Sequence, residues 1–144
     1  MFMGEYHHNI DEKGRLTIPS KIRYELGEEF IVTRGLDNCL FVYPKEAWNN
    51  IIAEYKILPN TKDARNFMRF FLSGATICTF DKQGRINIPV PLTAYADLIK
   101  ECIIIGVDDR LEVWSKKRWE EFVSENEPNY SEIAEKLFTP KLDV

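Results

Sequence analysis

Histidine is nearly missing from this chain of 144 residues, with only His7 and His8 present. They are neighbours on a predicted strand, where adjacent side chains point to opposite faces and are badly placed to chelate one metal. Cysteine is scarce too: Cys39, Cys78 and Cys102 are odd in number and far apart, each in an apolar stretch. That suits buried thiols in a reducing compartment rather than a disulfide frame or a zinc site. No apolar run approaches the roughly 20 residues of a membrane span. The opening MFMGEYHHNIDEKGR has neither the basic start nor the apolar middle of a signal peptide. A cytoplasmic protein without metal or other cofactor is expected. There is also no Gly-rich phosphate loop, no His-Glu-x-x-His and no serine in a nucleophile elbow. The neighbouring carboxylates Asp108 and Asp109 fall in a predicted turn, which accounts for them. The expectation is a protein that is not an enzyme.

An excess of positive charge is absent as well. The net charge is −4, which argues against nucleic acid as a partner. Its distribution argues the other way. Between positions 11 and 23, Lys13, Arg15, Lys21 and Arg23 stand against Asp11 and Glu12, a local +2. The acids gather elsewhere, at Glu120, Glu121, Glu125, Glu127, Glu132 and Glu135. A locally basic face inside an acidic shell is compatible with both observations. At 44% apolar and 29% charged residues the chain reads as folded and soluble. Its length suits one domain, or two small halves sharing a core.

What the chain does contain is a phrase used twice. DEKGRLTIP at 11–19 and DKQGRINIP at 81–89 agree at five of nine positions, the Asp, Gly, Arg, second-last Ile and Pro. The copy continues with a one-residue slip, RGLDNCLFVYPKEAW at 34–48 against IGVDDRLEVWSKKRW at 105–119. There Gly35 falls on Gly106, Asp37 on Asp108, Leu40 on Leu111, Val42 on Val113 and Trp48 on Trp119. This is a tandem duplication with a unit of about seventy residues. The halves are expected to divide as 1–74 and 75–144, each with its own helical extension.

Each unit has the same layout. Leu16 and Ile18, like Ile86 and Ile88, alternate with polar neighbours, predicting a short half-buried strand that starts at the arginine. The proline stops it, a helical turn follows over 20–26, and Gly27 caps that turn. FIVTRG and CIIIG are predicted buried strands, and GLDN and GVDD are hairpin turns into CLFVY and RLEVW. Helical spacing then predicts a first helix through Ala47, Trp48, Ile51, Ile52 and Tyr55 and a second from Thr61 to Gly74. In the second unit Trp119, Phe122 and Val123 form one stripe, and Ile133, Ala134, Leu137 and Phe138 the next. Pro91 is expected to delay or reshape the second short helix. Strands this short make a marginal sheet singly, so the two copies are expected to interleave their hairpins about a pseudo-twofold axis. The predicted fold is α+β, a pseudo-twofold duplicated barrel of interleaved hairpins decorated by helices, with both turns on one surface.

The repeated turn carries the candidate chemistry. Gly14 and Gly84 supply positive φ, and Asp11 and Asp81 can bridge their turns through the carboxylate. Arg15 and Arg85 are the residues that turn chemistry explains least. A planar guanidinium suits phosphate, or the O6 and N7 acceptors of guanine in the major groove, and a carboxylate four residues earlier can pre-orient it. Lys13, Lys21, Arg23 and Lys82 then become candidate phosphate contacts. Gln83 stands where the first turn has Lys13, and Lys21 and Arg23 have no basic counterparts, so the first turn is expected to hold more phosphate. The rival reading is a non-catalytic oligomeric scaffold or protein-interaction module, with the arginines only bracing their turns.

The paired Asp-x-x-x-Arg turns, MFMGEY at the start and RFFLSGA between the halves resemble the MraZ family of bacterial transcriptional regulators, over essentially the whole chain. That resemblance implies two AbrB-like swapped-hairpin halves and a ring-shaped homo-oligomer associated with the nucleoid. It also implies binding of double-stranded DNA at repeated elements upstream of a cell-division and cell-wall gene cluster. The motif falls on Asp11 and Arg15 and on Asp81 and Arg85.

Overall fold

Strand β1 (Glu5–Asn9) runs into a bend at residues 11–14, from which β2 (Arg15–Thr17) emerges. Leu16 points inward while Arg15 and Thr17 stay at the surface, the period-two consequence of a pleated strand. Pro19 precedes α1 (Ser20–Leu26), and Gly27 closes that helix at φ 79°, a conformation glycine adopts without penalty. The hairpin β3 (Phe30–Arg34) and β4 (Leu40–Pro44) follows, then α2 (Lys45–Tyr55) and α3 (Lys62–Ser73). Thr61 caps α3 by accepting the Ala64 N–H. The second half repeats the order with β5 (Thr76–Cys78), β6 (Arg85–Asn87), α4 (Val90–Tyr95), β7 (Glu101–Val107), β8 (Arg110–Ser115), α5 (Lys116–Asn126), a 3-10 turn at Glu127–Asn129 and α6 (Tyr130–Phe138). The computed structural model describes residues 1–139.

The halves exchange strands. β1 pairs with β7, β5 pairs with β3, β4 pairs with β8 and β2 pairs with β6, all antiparallel. Two registers locate a pseudo-twofold axis: Leu16 lies opposite Ile86, and Phe41 opposite Glu112, each pair being equivalent positions of the repeat. The swapped-hairpin α+β arrangement is therefore present. Its strands form an open six-stranded sheet, β1-β7-β8-β4-β3-β5, and a separate β2-β6 ribbon rather than a closed barrel. With only three residues each, β2 and β6 pair fully with one another, and an isolated Ile10–Leu16 bridge ties the ribbon to the residue that follows β1.

The ribbon, α1 and α4 cover one face of the sheet, burying Leu16, Ile18, Ile86 and Ile88 against Phe30, Val32, Leu40, Val42, Ile104, Leu111 and Val113. The opposite face, with Phe41, Tyr43, Ile103 and Trp114, receives α2, α3 and α5. Glu112, buried at the axis, accepts from Arg110 at 2.7 and 3.1 Å and from the Trp114 indole at 3.0 Å, so its charge is paired and hydrogen-bonded. The three cysteines are free and buried, and burial pushes the Cys78 and Cys102 thiols up to about 11.

Two expectations need correction. Pro91 does not delay α4, which starts at Val90, the counterpart of Ser20, although the helix is reshaped at its far end, Val90–Tyr95 being one residue shorter than α1. A proline in the first helical turn lacks only an N–H that has no intrahelical partner there. In the hairpins Arg34 pairs with Leu40 while Gly106 pairs with Leu111, so Arg34 rather than Gly35 is the counterpart of Gly106. The first loop is one residue longer, and three left-handed residues, Asp37, Asn38 and Asp108, turn the two hairpins.

Leu16→Ala is expected to cost about 2–5 kcal/mol in urea unfolding, through lost burial plus the cavity left behind. Thr17→Ala, on the outer ribbon face, should stay within about 0.5 kcal/mol. Equal small effects would mean that the ribbon is not packed on the sheet.

Candidate nucleic-acid interface

Each repeated bend is closed by the same set of bonds. The Asp11 N–H donates to the Arg15 carbonyl and the Gly14 N–H to the Asp11 carbonyl, both at 3.0 Å. Asp11 Oδ1 accepts the Lys13 and Arg15 N–H groups at 3.0 and 2.9 Å, and Oδ2 accepts Arg15 Nε at 2.6 Å. Asp81 does likewise with Gln83 N–H at 2.8 Å, Arg85 N–H at 2.9 Å and Arg85 Nε at 2.8 Å. Both carboxyls are held below the usual aspartate value, chiefly by the arginine backbone N–H and further by the guanidinium bond, with partial desolvation opposing.

Gly14 and Gly84 adopt φ of 81° and 75°, and each touches the other half. Gly14 accepts the Ile88 N–H at 2.7 Å, and Gly84 accepts the Ile18 N–H at 3.1 Å. A Cβ on Gly14 would stand 2.5 Å from the Ile88 carbonyl oxygen, so glycine is required there for space as well as for φ. A Cβ on Gly84 would meet the Arg23 guanidinium.

These bends place both arginines on one face. In the ribbon Arg15 lies opposite Asn87 and Thr17 opposite Arg85, and all four project away from buried Leu16 and Ile86. Arg15 and Arg85 are thus diagonal neighbours, with Cα atoms roughly 7–8 Å apart. Their side chains are 35% and 25% exposed. Nε of each is taken by its aspartate, and no hydrogen bond among the described residues uses the Nη atoms of either. Two oriented forks therefore face solvent from a small polar platform.

The flanking cations divide. Lys13 and Lys82 are exposed on the bends and Lys21 is exposed on α1. Arg23 is half-buried, with Nε donating to the Ile18 carbonyl at 2.9 Å and its guanidinium over Gly84. It packs against the other half's bend. Thr17 and Asn87 were not singled out from the sequence, although the alternation that exposes Arg15 and Arg85 exposes them too. Among the described residues no group of three His, Cys, Asp or Glu side chains is placed to hold a metal.

The family model described as "MraZ protein, putative antitoxin-like" matches this chain twice, over residues 1–70 and 71–141. The chain belongs to the MraZ family. The two matches coincide with the duplicated unit, and the description puts MraZ among regulator-type proteins. No helix among the described residues is long and apolar enough to cross a membrane.

The Asp11 and Asp81 carboxyls should titrate below 3.8 when followed by NMR. Depressed carboxylates stabilise the fold fully above the unfolded-state value, and that contribution is lost as pH falls through the folded one. Arg15→Ala should raise the Asp11 midpoint only in part, because the backbone bond persists, and leave Asp81 unmoved. A midpoint at or above 3.8 in the unaltered protein would contradict the bracing.

Proposed function

We propose that this MraZ protein is a sequence-specific regulator that binds double-stranded DNA through Asp11–Arg15 and Asp81–Arg85. The observation that carries the reading is the pair of guanidiniums on one ribbon face, each fixed at Nε and open at Nη. A B-DNA major groove, about 12 Å wide, admits a two-stranded ribbon, and an arginine fork matches guanine O6 and N7. Fixing Nε beforehand lowers the side-chain entropy lost on binding. Lys13, Lys21 and Lys82 meet phosphates, which position the ribbon without specifying sequence. Arg23 contributes chiefly by packing against the second bend.

One ribbon offers few contacts, so tight binding requires several chains acting together. We take the protein to be a homo-oligomeric ring in which joined subunits raise the effective concentration at neighbouring repeats. Each chain contributes two halves, 1–74 and 75–144. The targets are repeated promoter elements upstream of a cell-division and cell-wall gene cluster, and the protein is cytoplasmic and nucleoid-associated. It needs no cofactor and catalyses no reaction.

Footprinting on the protein's own upstream region should reveal protected repeats at regular spacing. Affinity should fall steeply with added salt, since each neutralised phosphate contributes about −0.9 to the slope of log K against log salt. Lys13→Ala should reduce that slope by about 1 per chain engaged while leaving site preference intact. Arg15→Ala and Arg85→Ala should abolish preference for the cognate site without changing assembly. Salt-insensitive retention, or normal discrimination by both arginine variants, would favour an oligomeric scaffold whose arginines only brace their turns.

A further inference from the structure

The ribbon repeats its arginines and not the residues beside them. The pseudo-twofold axis passes between Leu16 and Ile86, so it relates Arg15 to Arg85 and Thr17 to Asn87. All four side chains share the outer face, yet in the second pair one is a short hydroxyl and the other a primary carboxamide. Asn87 is exposed and Thr17 half-buried. No side-chain hydrogen bond among the described residues uses either of them.

Asn87 stands directly across from Arg15, and its amide oxygen lies beside the first bend, where a Cβ on Gly14 would come within 3.3 Å of it. Cross-strand neighbours have Cβ atoms about 4.5–5.5 Å apart, against about 3.4 Å from one base to the next along a duplex strand. A fork from Arg15 and an amide from Asn87 therefore reach neighbouring base pairs in one groove. The amide presents donor and acceptor side by side, matching adenine N6 and N7 as the arginine fork matches guanine O6 and N7. At the second bend the place over Gly84 is taken by the Arg23 guanidinium. Thr17, across from Arg85, has only a hydroxyl and a methyl, and a hydroxyl bonds to any base edge, so it selects weakly.

We propose that Asn87 is a base-reading residue, taking N6 and N7 of an adenine next to the guanine that Arg15 holds, while Thr17 leaves the guanine of Arg85 without such a neighbour. The inference rests on the DNA-binding reading above and names a base pair in its target. The element under each ribbon is then lopsided: two guanines related by the axis, and an A·T pair beside only one of them. A protein with exact twofold symmetry reads a sequence of the same symmetry, so this one pair of unlike residues gives the element a direction. Lys13 and Gln83 also differ across the axis, but a phosphate contact positions the ribbon without specifying bases.

Duplexes selected from a randomised pool by the unaltered full chain supply the probe, and fluorescence anisotropy at fixed salt then measures binding to each single-base-pair variant of them. Arg15→Ala marks its guanine as the position where discrimination disappears. Asn87→Ala should lose about tenfold discrimination at an adjoining A·T pair and keep it at both guanines. Putting 7-deazaadenine there, which has no acceptor at position 7, should weaken the unaltered protein and leave Asn87→Ala indifferent. Thr17→Asn should gain a preference for an adenine beside the Arg85 guanine. Both residues lie on the outer ribbon face, so the variants should assemble and unfold like the unaltered protein. A pool that yields no preferred sequence overturns the DNA-binding reading and this assignment together. A preferred sequence with no A·T pair beside the Arg15 guanine, or one that Asn87→Ala reads equally well, overturns the assignment alone. So does 7-deazaadenine bound by the unaltered protein as tightly as adenine.

Discussion

Antiparallel pairing of equivalent residues across the pseudo-twofold axis is the constraint on which the molecule depends. Strands of three residues cannot hold a sheet alone, and β2 and β6 exist because each is the other's partner. Leu16 opposite Ile86 closes the core on one side, and Phe41 opposite Glu112 joins the two hairpins on the other. The exchange of β1 and β5 between halves makes neither half a core without its copy.

The same pairing makes the candidate interface. Because side chains alternate along a strand, burying Leu16 and Ile86 obliges Arg15, Thr17, Arg85 and Asn87 to share the outer face. The two bends then divide the work of each arginine, with Nε held by the carboxylate and the Nη groups left outward. The hydrogen bonds from the Ile18 and Ile88 N–H groups to the opposite glycines lock one bend to the other's strand. A displacement of either half would therefore move both guanidiniums relative to one another.

Symmetry is kept by the ribbon's pairing and its two arginines and relaxed elsewhere. Arg23 covers Gly84, while Thr93, its counterpart by repeat spacing, lacks a charge to return the favour at Gly14. The first hairpin loop is a residue longer than the second, and α3 is packed where α6 is bare. Duplicated positions that touch the axis need a complementary copy. Peripheral ones answer only to local surroundings and have diverged.

Much of this was legible in the residues. The Asp-x-x-Gly-Arg phrase, the alternation in RLTIP and RINIP, the Gly27 cap and the Thr61 start of α3 are set by bonds within a few positions, so short-range pattern suffices. The repeat and the paired arginines could be read the same way. What tertiary structure decided was which strands join, that they leave an open sheet and a ribbon, that Arg23 reaches across to the other bend, and that α6 finds no bed in its own chain. Those outcomes turn on contacts between segments about seventy residues apart, where burial and shape choose among pairings that local propensity leaves equal.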